Sequence, residues 1–447
     1  MSQPRRITRR NALRFTAATA ALPLVHIRTA GAAGKLSIGF WDHWVPAGND
    51  AMRAQVKTWA EKNMVDVQMD FITTVGNKLV LTQAAEGLAK SGHDCMTFRD
   101  WEVQNHAASL EPVDDVVQNL VGKYGAVTEM HTYLAKSQGH WVAVPTSSGS
   151  NFKGPVARIS VLKEKAGIDV QAMYPARPEH TALSDTWTYD AHLKAAASCH
   201  AAGMPFGIGL GVSVDSVDTA GALFRAYGAE LVGADGTIKI NSDEVRQVLE
   251  HAQQLVKYLP ADAPSYDDAS NNRALIAGKS ALIWNPPSAW AVAKRDAPQI
   301  AEDCWSFQAP AGPKGRFTPI GPYFWGIWQF AKNKGAAKDL ITYLLERPQV
   351  EARCVAVSGF DVPPFASMTD FPVWDAVEPP KGTLYNYPVR PFHKATPHIA
   401  GYPAPTEIAV RTYQRGTMPT MMAKLQAGQS IKTVLDWAGK ELEGFAR

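Results

Sequence analysis

Short apolar runs alternate with amphipathic stretches between residues 35 and 98. Residues 35–41 form an apolar-rich run, residues 65–71 alternate apolar with polar side chains, and residues 95–98 form a third short run. Between these runs, apolar residues recur at helical spacing, at Met52, Val56, Trp59 and Ala60 and then at Leu79, Val80, Ala84 and Leu88. Strands that alternate with helices predict an α/β fold built on a parallel, doubly wound sheet.

Cap and turn residues mark further elements in the middle of the chain. Thr188 stands in the position of an N-cap before a helical stretch, and Asp235-Gly236 is typical of a hairpin turn. Asn241, with a glutamate three residues later, has the layout of a capping box. The apolar stripe over residues 245–259 predicts a core helix and indicates no chemistry.

The longest ordered set of signals lies between residues 272 and 328. A helix closed by Gly278 leads into an apolar strand that ends at a Trp-Asn-Pro-Pro turn beginning at Trp284. A Pro-Ala-Gly-Pro turn at residues 310–313 then precedes an aromatic strand at residues 320–328. The sequence therefore predicts two strands joined through this turn region.

This order of motifs resembles the family 1 extracellular solute-binding proteins of ABC importers, a family that includes the maltose-binding proteins. The resemblance extends from about residue 35 to the C-terminus, and it implies a two-lobed periplasmic binding protein fold of type II. In that fold each lobe is a doubly wound sheet flanked by helices, and the ligand lies in a cleft between the lobes. The resemblance implies that residues 34–143 and 322–370 form lobe I and that residues 144–321 and 371–447 form lobe II.

The N-terminal segment has the pattern of an export signal. Six arginines, with no acidic residue among them, accompany an apolar run at residues 15–25, and an Ala-Gly-Ala site follows. Arg9 and Arg10 resemble a twin-arginine signal, although Ala12 stands where that motif usually has Phe. We therefore predict a signal peptide over residues 1–32. The apolar run is shorter than the roughly 20 residues that a membrane-spanning helix needs.

Charge and cysteine content limit the partners and the compartment. Removal of the six arginines of the predicted signal peptide lowers the formal charge from +3 to about −3, and no other basic block remains to bind nucleic acid. The four cysteines lack C-x-x-C spacing, so we expect buried thiols, with one or two disulfides as the alternative. None lies just after the signal peptide, where lipoproteins are acylated, so we expect a mature protein free in the periplasm.

No motif for catalysis or metal binding stands out. The Gly-x-Gly-x-Gly sequence at residues 207–211 lacks dinucleotide spacing, and the chain contains no Walker A, G-x-S-x-G or H-E-x-x-H sequence. The paired carboxylates Asp114-Asp115 and Asp267-Asp268 are interpreted as solvated turn or helix-start residues. We therefore predict no catalytic residue, no metal and no cofactor.

Ligand contacts are expected beyond the carboxyl ends of the parallel strands, where open α/β sheets bind their ligands. Two loops qualify, and the resemblance adds residues from the opposite lobe and from the strand that crosses between lobes. The predicted ligand-binding residues are Trp41, Asp42, His43, Trp44, Arg99, Asp100, Trp101, Trp284, Asn285, Trp290, Tyr323 and Trp325. Core packing is the alternative interpretation of each tryptophan.

The chemistry of these residues fits more than one class of ligand. Indole rings suit the apolar face of a sugar ring, and equally a quaternary ammonium or another cation. Asp42, Asp100 and Asn285 would bind hydroxyl groups, whereas Arg99 could pair with a carboxylate or a phosphate. The resemblance favours carbohydrate, the commonest substrate class of the family.

We therefore predict a monomeric periplasmic protein that captures a small solute, with a sugar or oligosaccharide favoured, and delivers it to an ABC permease in the inner membrane. The alternative is an exported polysaccharide-active or cofactor-containing enzyme. The segment from residue 362 to residue 405 is rich in proline and aromatic residues and could cover the cleft. Its candidate site residues are Tyr385, Tyr387, Arg390 and His393.

Overall fold

The structure is a computed structural model, and it describes residues 24–27, 34–150, 152–174, 181–286, 288–373 and 395–446. The strands are β1 (Leu24–Ile27), β2 (Gly34–Trp41), β3 (Val65–Ile72), β4 (Cys95–Arg99), β5 (Lys136–Ser137), β6 (His140–Trp141), β7 (Val144–Ser150), β8 (Pro155–Arg158), β9 (Leu282–Trp284), β10 (Cys304–Ser306), β11 (Ala311–Gly312), β12 (Gly315–Pro319), β13 (Gly321–Ile327) and β14 (Thr396–His398). The α-helices are Pro46–Asn63, Lys78–Ala89, Glu102–His106, Asp114–Tyr124, Glu129–Ala135, Ile159–Ala166, Val170–Met173, Ala182–Asp185, Tyr189–Ala201, Val214–Ala226, Asp243–Leu255, Ser270–Ile276, Ser288–Asp296, Pro298–Ala301, Lys334–Leu344, Arg347–Ala356, Thr406–Gln414, Thr417–Gln426 and Ile431–Phe445.

A six-stranded sheet with the order β1-β3-β2-β4-β13-β7 forms the centre of what we call the first lobe. β2 pairs in parallel with β3, where Leu36 lies opposite Val67, and also in parallel with β4. The predicted parallel strands are therefore confirmed. The helix Pro46–Asn63 packs against β3 and buries the predicted face of Met52, Val56, Trp59 and Ala60.

Two small sheets, β10-β8-β9 and β11-β12-β14, form the centre of what we call the second lobe. β8 pairs antiparallel with both of its neighbours, so this lobe does not repeat the parallel sheet that we expected in each lobe. The strands of this lobe are only two to five residues long. The predicted core helix is Asp243–Leu255, and its apolar stripe is buried.

The aromatic strand β13 lies within the large sheet, between β4 and β7. All seven of its residues are buried, and it pairs antiparallel with both neighbours. Gly326 is required by close packing, because a Cβ there would lie 2.7 Å from a ring carbon of Phe98. The chain passes to the second lobe after β7 and returns through β13. The residue boundaries predicted for the two lobes stay a prediction.

Side-chain caps start several helices of the second lobe. Thr188 accepts a hydrogen bond from the backbone amide of Ala191, as its predicted role as an N-cap requires. The helix Asp243–Leu255 is capped by Ser242, whose hydroxyl accepts from the Val245 amide at 3.3 Å. The predicted cap at Asn241 is therefore wrong by one residue, since serine competes equally well for this position.

The remaining sequence expectations have mixed outcomes. All four cysteines are buried free thiols, which supports the thiol interpretation over disulfides. Residues 1–23 and 28–32 of the predicted signal peptide lie outside the described residues, and Leu24–Ile27 pairs antiparallel with β3. Among the described residues, no helix is long and apolar enough to cross a membrane. Tyr385, Tyr387, Arg390 and His393 also lie outside the described residues.

The buried side chain of His93 contacts both the strand β3 and the helix Lys78–Ala89. His93 lies 2.6 Å from Glu86 through Nδ1 and 2.9 Å from Asp70 through Nε2. Burial by itself would lower the pKa of His93, but the hydrogen bonds and charges of Glu86 and Asp70 outweigh it, so that the pKa lies above its ordinary value. The charged imidazole therefore binds the loop before β4 to the strand and helix that precede it.

The contribution of His93 to stability should depend on pH. Because the folded-state pKa of His93 is raised, the stabilisation is complete below the unfolded-state pKa of about 6.5 and is lost as pH rises through the folded-state value. We expect His93→Gln to lower the free energy of unfolding by about 2 kcal/mol at pH 5.5. The difference from wild type should narrow towards pH 9 in urea unfolding measurements.

His200→Gln is a suitable control, since His200 is exposed. Its effect should be small at every pH. A loss for His93→Gln that stays constant across this pH range would contradict the charged form of His93.

Candidate ligand-binding site

A cleft lies where the carboxyl ends of β2, β3 and β4 face the second lobe. The empty space in the cleft is about 480 Å³, a figure that includes open solvent. The first wall, from the first lobe, consists of Trp44, Thr74, Arg99, Asp100, Gly321 and Tyr323. The second wall consists of Lys153, Val214, Asp215, Asp268, Asn272, Asn285, Pro286 and Ser288.

The first wall is organised by the end of β4. Asp100 follows β4 with a φ of 34°, a left-handed conformation that Asp tolerates better than most residues. Its amide donates to the carbonyl oxygen of Pro322 at 3.0 Å. The Arg99 guanidinium lies 5.8 Å from the centre of the Tyr323 ring. Tyr323 packs edge-on against Trp41, with ring centroids 4.6 Å apart, so Trp41 supports this wall from behind.

The second wall is organised by the buried side chain of Lys153. Its ammonium lies 2.8 Å from Asp215 Oδ1 and 2.7 Å from Asp218 Oδ2. Asp215 Oδ2 accepts hydrogen bonds from the side-chain amides of Asn271 at 3.0 Å and Asn285 at 3.2 Å. Both oxygens of Asp215 therefore have partners, and the carboxylate fixes the positions of three side chains around it.

The start of the helix Val214–Ala226 places Asp215 at this wall. Ser213 caps the helix, and its hydroxyl accepts from the amide three residues later at 3.2 Å. Asp268 Oδ1 accepts from the first amide of the helix at 2.9 Å. Carboxylates are favoured at this end, because its free amides and the helix dipole attract negative charge.

Burial and mutual attraction change the ionisation of these groups. Burial raises the pKa of Asp100 to about 7, and the Asp218 carboxylate adds to the rise while Arg99 and Lys153 oppose it. For Lys153, burial favours the neutral amine, but Asp215, Asp218 and Asp100 outweigh it and hold the pKa above its ordinary value. Lys153 is thus charged and already neutralised by neighbouring carboxylates.

The C-terminal part of the chain supports Asp100 from behind. The hydroxyl of Tyr413 donates to Asp100 Oδ2 at 3.4 Å. The adjacent Trp101 donates through Nε1 to the carbonyl of Ala400 at 3.0 Å. These contacts tie the turn after β4 to the helix Thr406–Gln414 and to the segment before it.

The cleft brings together five of the twelve predicted ligand-binding residues. Trp44, Arg99, Asp100 and Tyr323 line the first wall, and Asn285 lines the second. They reach one space because β2 and β4 end at the same edge of the sheet, while Asn285 follows β9 in the opposite lobe.

Three predicted residues of the first loop lie behind the cleft lining. Trp41 is buried against Tyr323 and does not line the cleft. Asp42 accepts a hydrogen bond from the Asn49 amide at 2.7 Å. His43 lies 3.1 Å from Asp361 through Nε2. The polar groups of this loop therefore hold its conformation and bind it to Asp361.

Four predicted tryptophans are core residues. Trp325 stacks on Phe40 with ring centroids 4.9 Å apart, and Trp101 is 1% exposed. Trp284 and Trp290 are also buried, and neither lines the cleft. In these positions a large ring gains more from apolar burial than from a place at the cleft.

Several cleft residues escaped the sequence analysis. Asp268 was interpreted as a solvated carboxylate, and Lys153 belongs to none of the sequence motifs described above. Asp215 had no distinguishing motif apart from the serine that caps its helix. Its neighbours in space, Asn271 and Asn285, are more than fifty residues away along the chain, so local spacing gave no signal.

Within the described ranges, no group of three or more His, Cys, Asp or Glu side chains could hold a metal ion. The cleft carboxylates instead surround the ammonium of Lys153, which takes the place that a cation would need. The arrangement is suited to holding a ligand by hydrogen bonds from both walls.

Comparison with known proteins identifies the family. The family described as "Bacterial extracellular solute-binding protein" matches residues 103–351 of the chain. The chain belongs to this family. A relative of this solute-binding protein, described as a probable ABC transporter-binding protein of Deinococcus radiodurans, is 29% identical over 133 residues. The match covers 29% of the present chain and 32% of the relative, so the chain matches about a third of that curated relative's length.

Solved structures share the fold of this solute-binding protein. A maltose-bound T. maritima MalE3 has a TM-score of 0.69 at 18% identity, and a sugar transporter from Arthrobacter chlorophenolicus A6 with bound laminaribiose has 0.71 at 16%. Each alignment covers 92% of this chain and 99% of the other. The acarbose-binding GacH receptor of Streptomyces glaucescens has 0.66 at 19%, with 92% and 98% covered. The two-lobed fold that the sequence predicted is confirmed.

Removal of the Lys153 charge should destabilise this solute-binding protein strongly. Lys153→Met leaves Asp215, Asp218 and Asp100 close together without their shared cation, and we expect a loss of about 3–5 kcal/mol in the free energy of unfolding. Urea unfolding at pH 7.5 measures it.

The double variant Lys153→Met/Asp218→Asn is the matched control. It removes one charge of each sign, so it should recover part of the lost free energy of unfolding. No recovery would mean that the ammonium acts through packing rather than through neutralisation.

Proposed function

We propose that this solute-binding protein captures a sugar or a short oligosaccharide between its two lobes and delivers it to an ABC permease in the inner membrane. The observation that carries the proposal is the composition of the cleft. Aromatic rings of Trp44 and Tyr323 share it with amide and charged side chains from both lobes. Relatives with this fold are described with bound maltose, laminaribiose and acarbose, which supports carbohydrate as the solute class.

The two kinds of side chain match the two surfaces of a sugar. A pyranose ring has an apolar face of C–H groups, which packs well on an aromatic ring. Its hydroxyl groups both donate and accept, and Arg99, Asn285 and Asp268 provide partners of both kinds. A ligand so bound would contact both lobes at once.

Contact with both walls gives a mechanism for capture. A ligand shifts the equilibrium towards a closed state only when it binds that state more tightly than the open one. Arg99 and Tyr323 belong to the first wall and Asn285 to the second, so a bound solute would gain contacts as the lobes approach. The permease would then recognise the closed, loaded form.

The N-terminal pattern supports export of this solute-binding protein. We propose that residues 1–32 act as a signal peptide of the twin-arginine kind and that the mature monomer is free in the periplasm, without a lipid anchor. The family is that of extracellular proteins, which supports a location outside the cytoplasm.

A thermal-shift screen of the protein from residue 33 onwards tests the function. Mono- and oligosaccharides, polyols, amino acids, betaines and organic acids would be compared. A true ligand at a hundred times its Kd should add about 2.7 kcal/mol of stability and raise the melting temperature by several degrees. A shift by a compound that is recovered unchanged supports capture. Chemical conversion of the compound, or stabilisation only by organic acids, would contradict the proposal.

Trp44 should contribute directly to affinity. We expect Trp44→Ala to weaken binding of the sugar found in the screen at least tenfold, or about 1.4 kcal/mol, because the aromatic contact with the ring is lost. Titration calorimetry would measure it. Trp437→Ala is the matched control, since Trp437 is also partly buried but packs against Lys424, outside the cleft. If the two variants bind the sugar with equal affinity, Trp44 does not belong to the binding site.

A further inference from the structure

A second cavity lies inside the second lobe, and we call it the inner cavity. It is lined by side chains of the helix Tyr189–Ala201, the helix Val214–Ala226, the segment 208–210 and the end of β9, together with Leu255 and Met422. Its empty space is about 310 Å³, against about 480 Å³ in the cleft, and both figures include open solvent. Among the described residues, the lining of the inner cavity and the lining of the cleft do not overlap.

The inner cavity lies directly behind the second wall of the cleft. Ser216 lines the inner cavity, and its chain neighbour Asp215 lines the cleft. Trp284 and Asn285 divide in the same way at the end of β9. A molecule bound in the inner cavity would therefore support the second wall from behind.

Three polar side chains of the inner cavity lack hydrogen-bond partners within the described part of the chain. The atoms concerned are the Tyr189 hydroxyl, both ring nitrogens of His192 and Nε1 of Trp284. These residues are only 2%, 1% and 3% exposed. A buried donor or acceptor without a partner costs free energy, and most such groups in folded proteins are paired. Three of them around one cavity point to a molecule that binds between them.

The aromatic rings around His192 offer it no hydrogen bond. The ring centroids of Phe206, Trp187 and Tyr189 lie 5.1, 5.8 and 5.9 Å from the centroid of the imidazole. Burial lowers the pKa of His192 to about 3, and the nearby His251 adds to the fall. The imidazole is thus neutral, so one of its nitrogens donates and the other accepts.

The lining of the inner cavity favours a neutral guest. None of the described residues that line it is Asp, Glu, Lys or Arg, so an ion would lose its hydration without gaining a counter-charge. Trp284 can only donate a hydrogen bond, whereas Tyr189 and the neutral His192 can each donate and accept. A hydroxyl group both donates and accepts, so it complements this set. Apolar side chains such as Ile208 and Leu223 complete the lining and would accommodate a short alkyl group.

We infer that the inner cavity is a binding site for a neutral hydroxyl group, carried by water or by a small alcohol, which forms hydrogen bonds with the Tyr189 hydroxyl and with His192 or Trp284. The bound molecule satisfies polar groups that the apolar core leaves unpaired. The site is separate from the cleft, so the inference holds whatever solute the cleft takes.

A high-resolution crystal structure tests the site directly. We expect density within hydrogen-bonding distance, about 2.6–3.2 Å, of the Tyr189 hydroxyl and of a ring nitrogen of His192 or Trp284. Density in crystals kept free of alcohol identifies water as the guest. Density that appears only after a soak in 2-propanol identifies a small alcohol. If neither crystal shows density in contact with these groups, the inference is wrong.

The variant Tyr189→Phe tests the same site in solution. It keeps the aromatic ring and removes one hydrogen-bond partner of the guest, so we expect differential scanning calorimetry to show a melting temperature lower by about 1–2 °C. Tyr258→Phe is the matched control, because Tyr258 is partly exposed and lies outside the inner cavity, and its melting temperature should not change. An unchanged or higher melting temperature for Tyr189→Phe would overturn the inference, because the hydroxyl would then have no partner to lose.

Discussion

The buried ammonium of Lys153 is the constraint on which the cleft depends. Two carboxylates of one helix bind it, and the same carboxylate of Asp215 holds the amides of Asn271 and Asn285. Those amides belong to segments on either side of β9. One cation therefore connects the chain that leaves the large sheet, the start of a helix and the turn after β9. Because a buried charge tolerates no missing partner, these segments can only take positions that keep the carboxylates in reach.

The wall opposite Lys153 depends on backbone geometry more than on charge. The parallel pairing of β2, β3 and β4 places three loops at one edge, and the left-handed turn at Asp100 brings its carboxylate back towards the strand β13. The aromatic packing of Tyr323 on Trp41 and the contact from Tyr413 make this wall stiff from behind. Ligand contacts on rigid elements lose little entropy on binding, so a stiff wall favours affinity.

The sequence predicted the first lobe better than the second, for a physical reason. In the first lobe, β3 has a clear period of two and the helix Pro46–Asn63 a clear period of 3.6 residues, because one face of each is buried. The strands of the second lobe are two to five residues long, too short for a period to indicate direction, and the antiparallel pairing of β8 with its neighbours was missed. In the site, the places of Arg99 and Asp100 were predictable, because both lie at the end of a predicted strand. Lys153 and Asp215 were not, since their association depends on contacts over 62 residues of chain that no local pattern records.

Aromatic residues were the least reliable predictors of the cleft lining, because an indole ring is also favoured in the core. A tryptophan ring contributes more free energy by full burial than most side chains, so a tryptophan near a strand end is drawn into the core wherever space exists. Trp325 and Trp101 follow this rule, while Trp44 stays partly exposed because its loop lies beyond the sheet. Buried charged groups behave differently, since burial without partners is costly. The buried ammonium of Lys153, held between two carboxylates, is therefore a sharper sign of the cleft than an aromatic ring is.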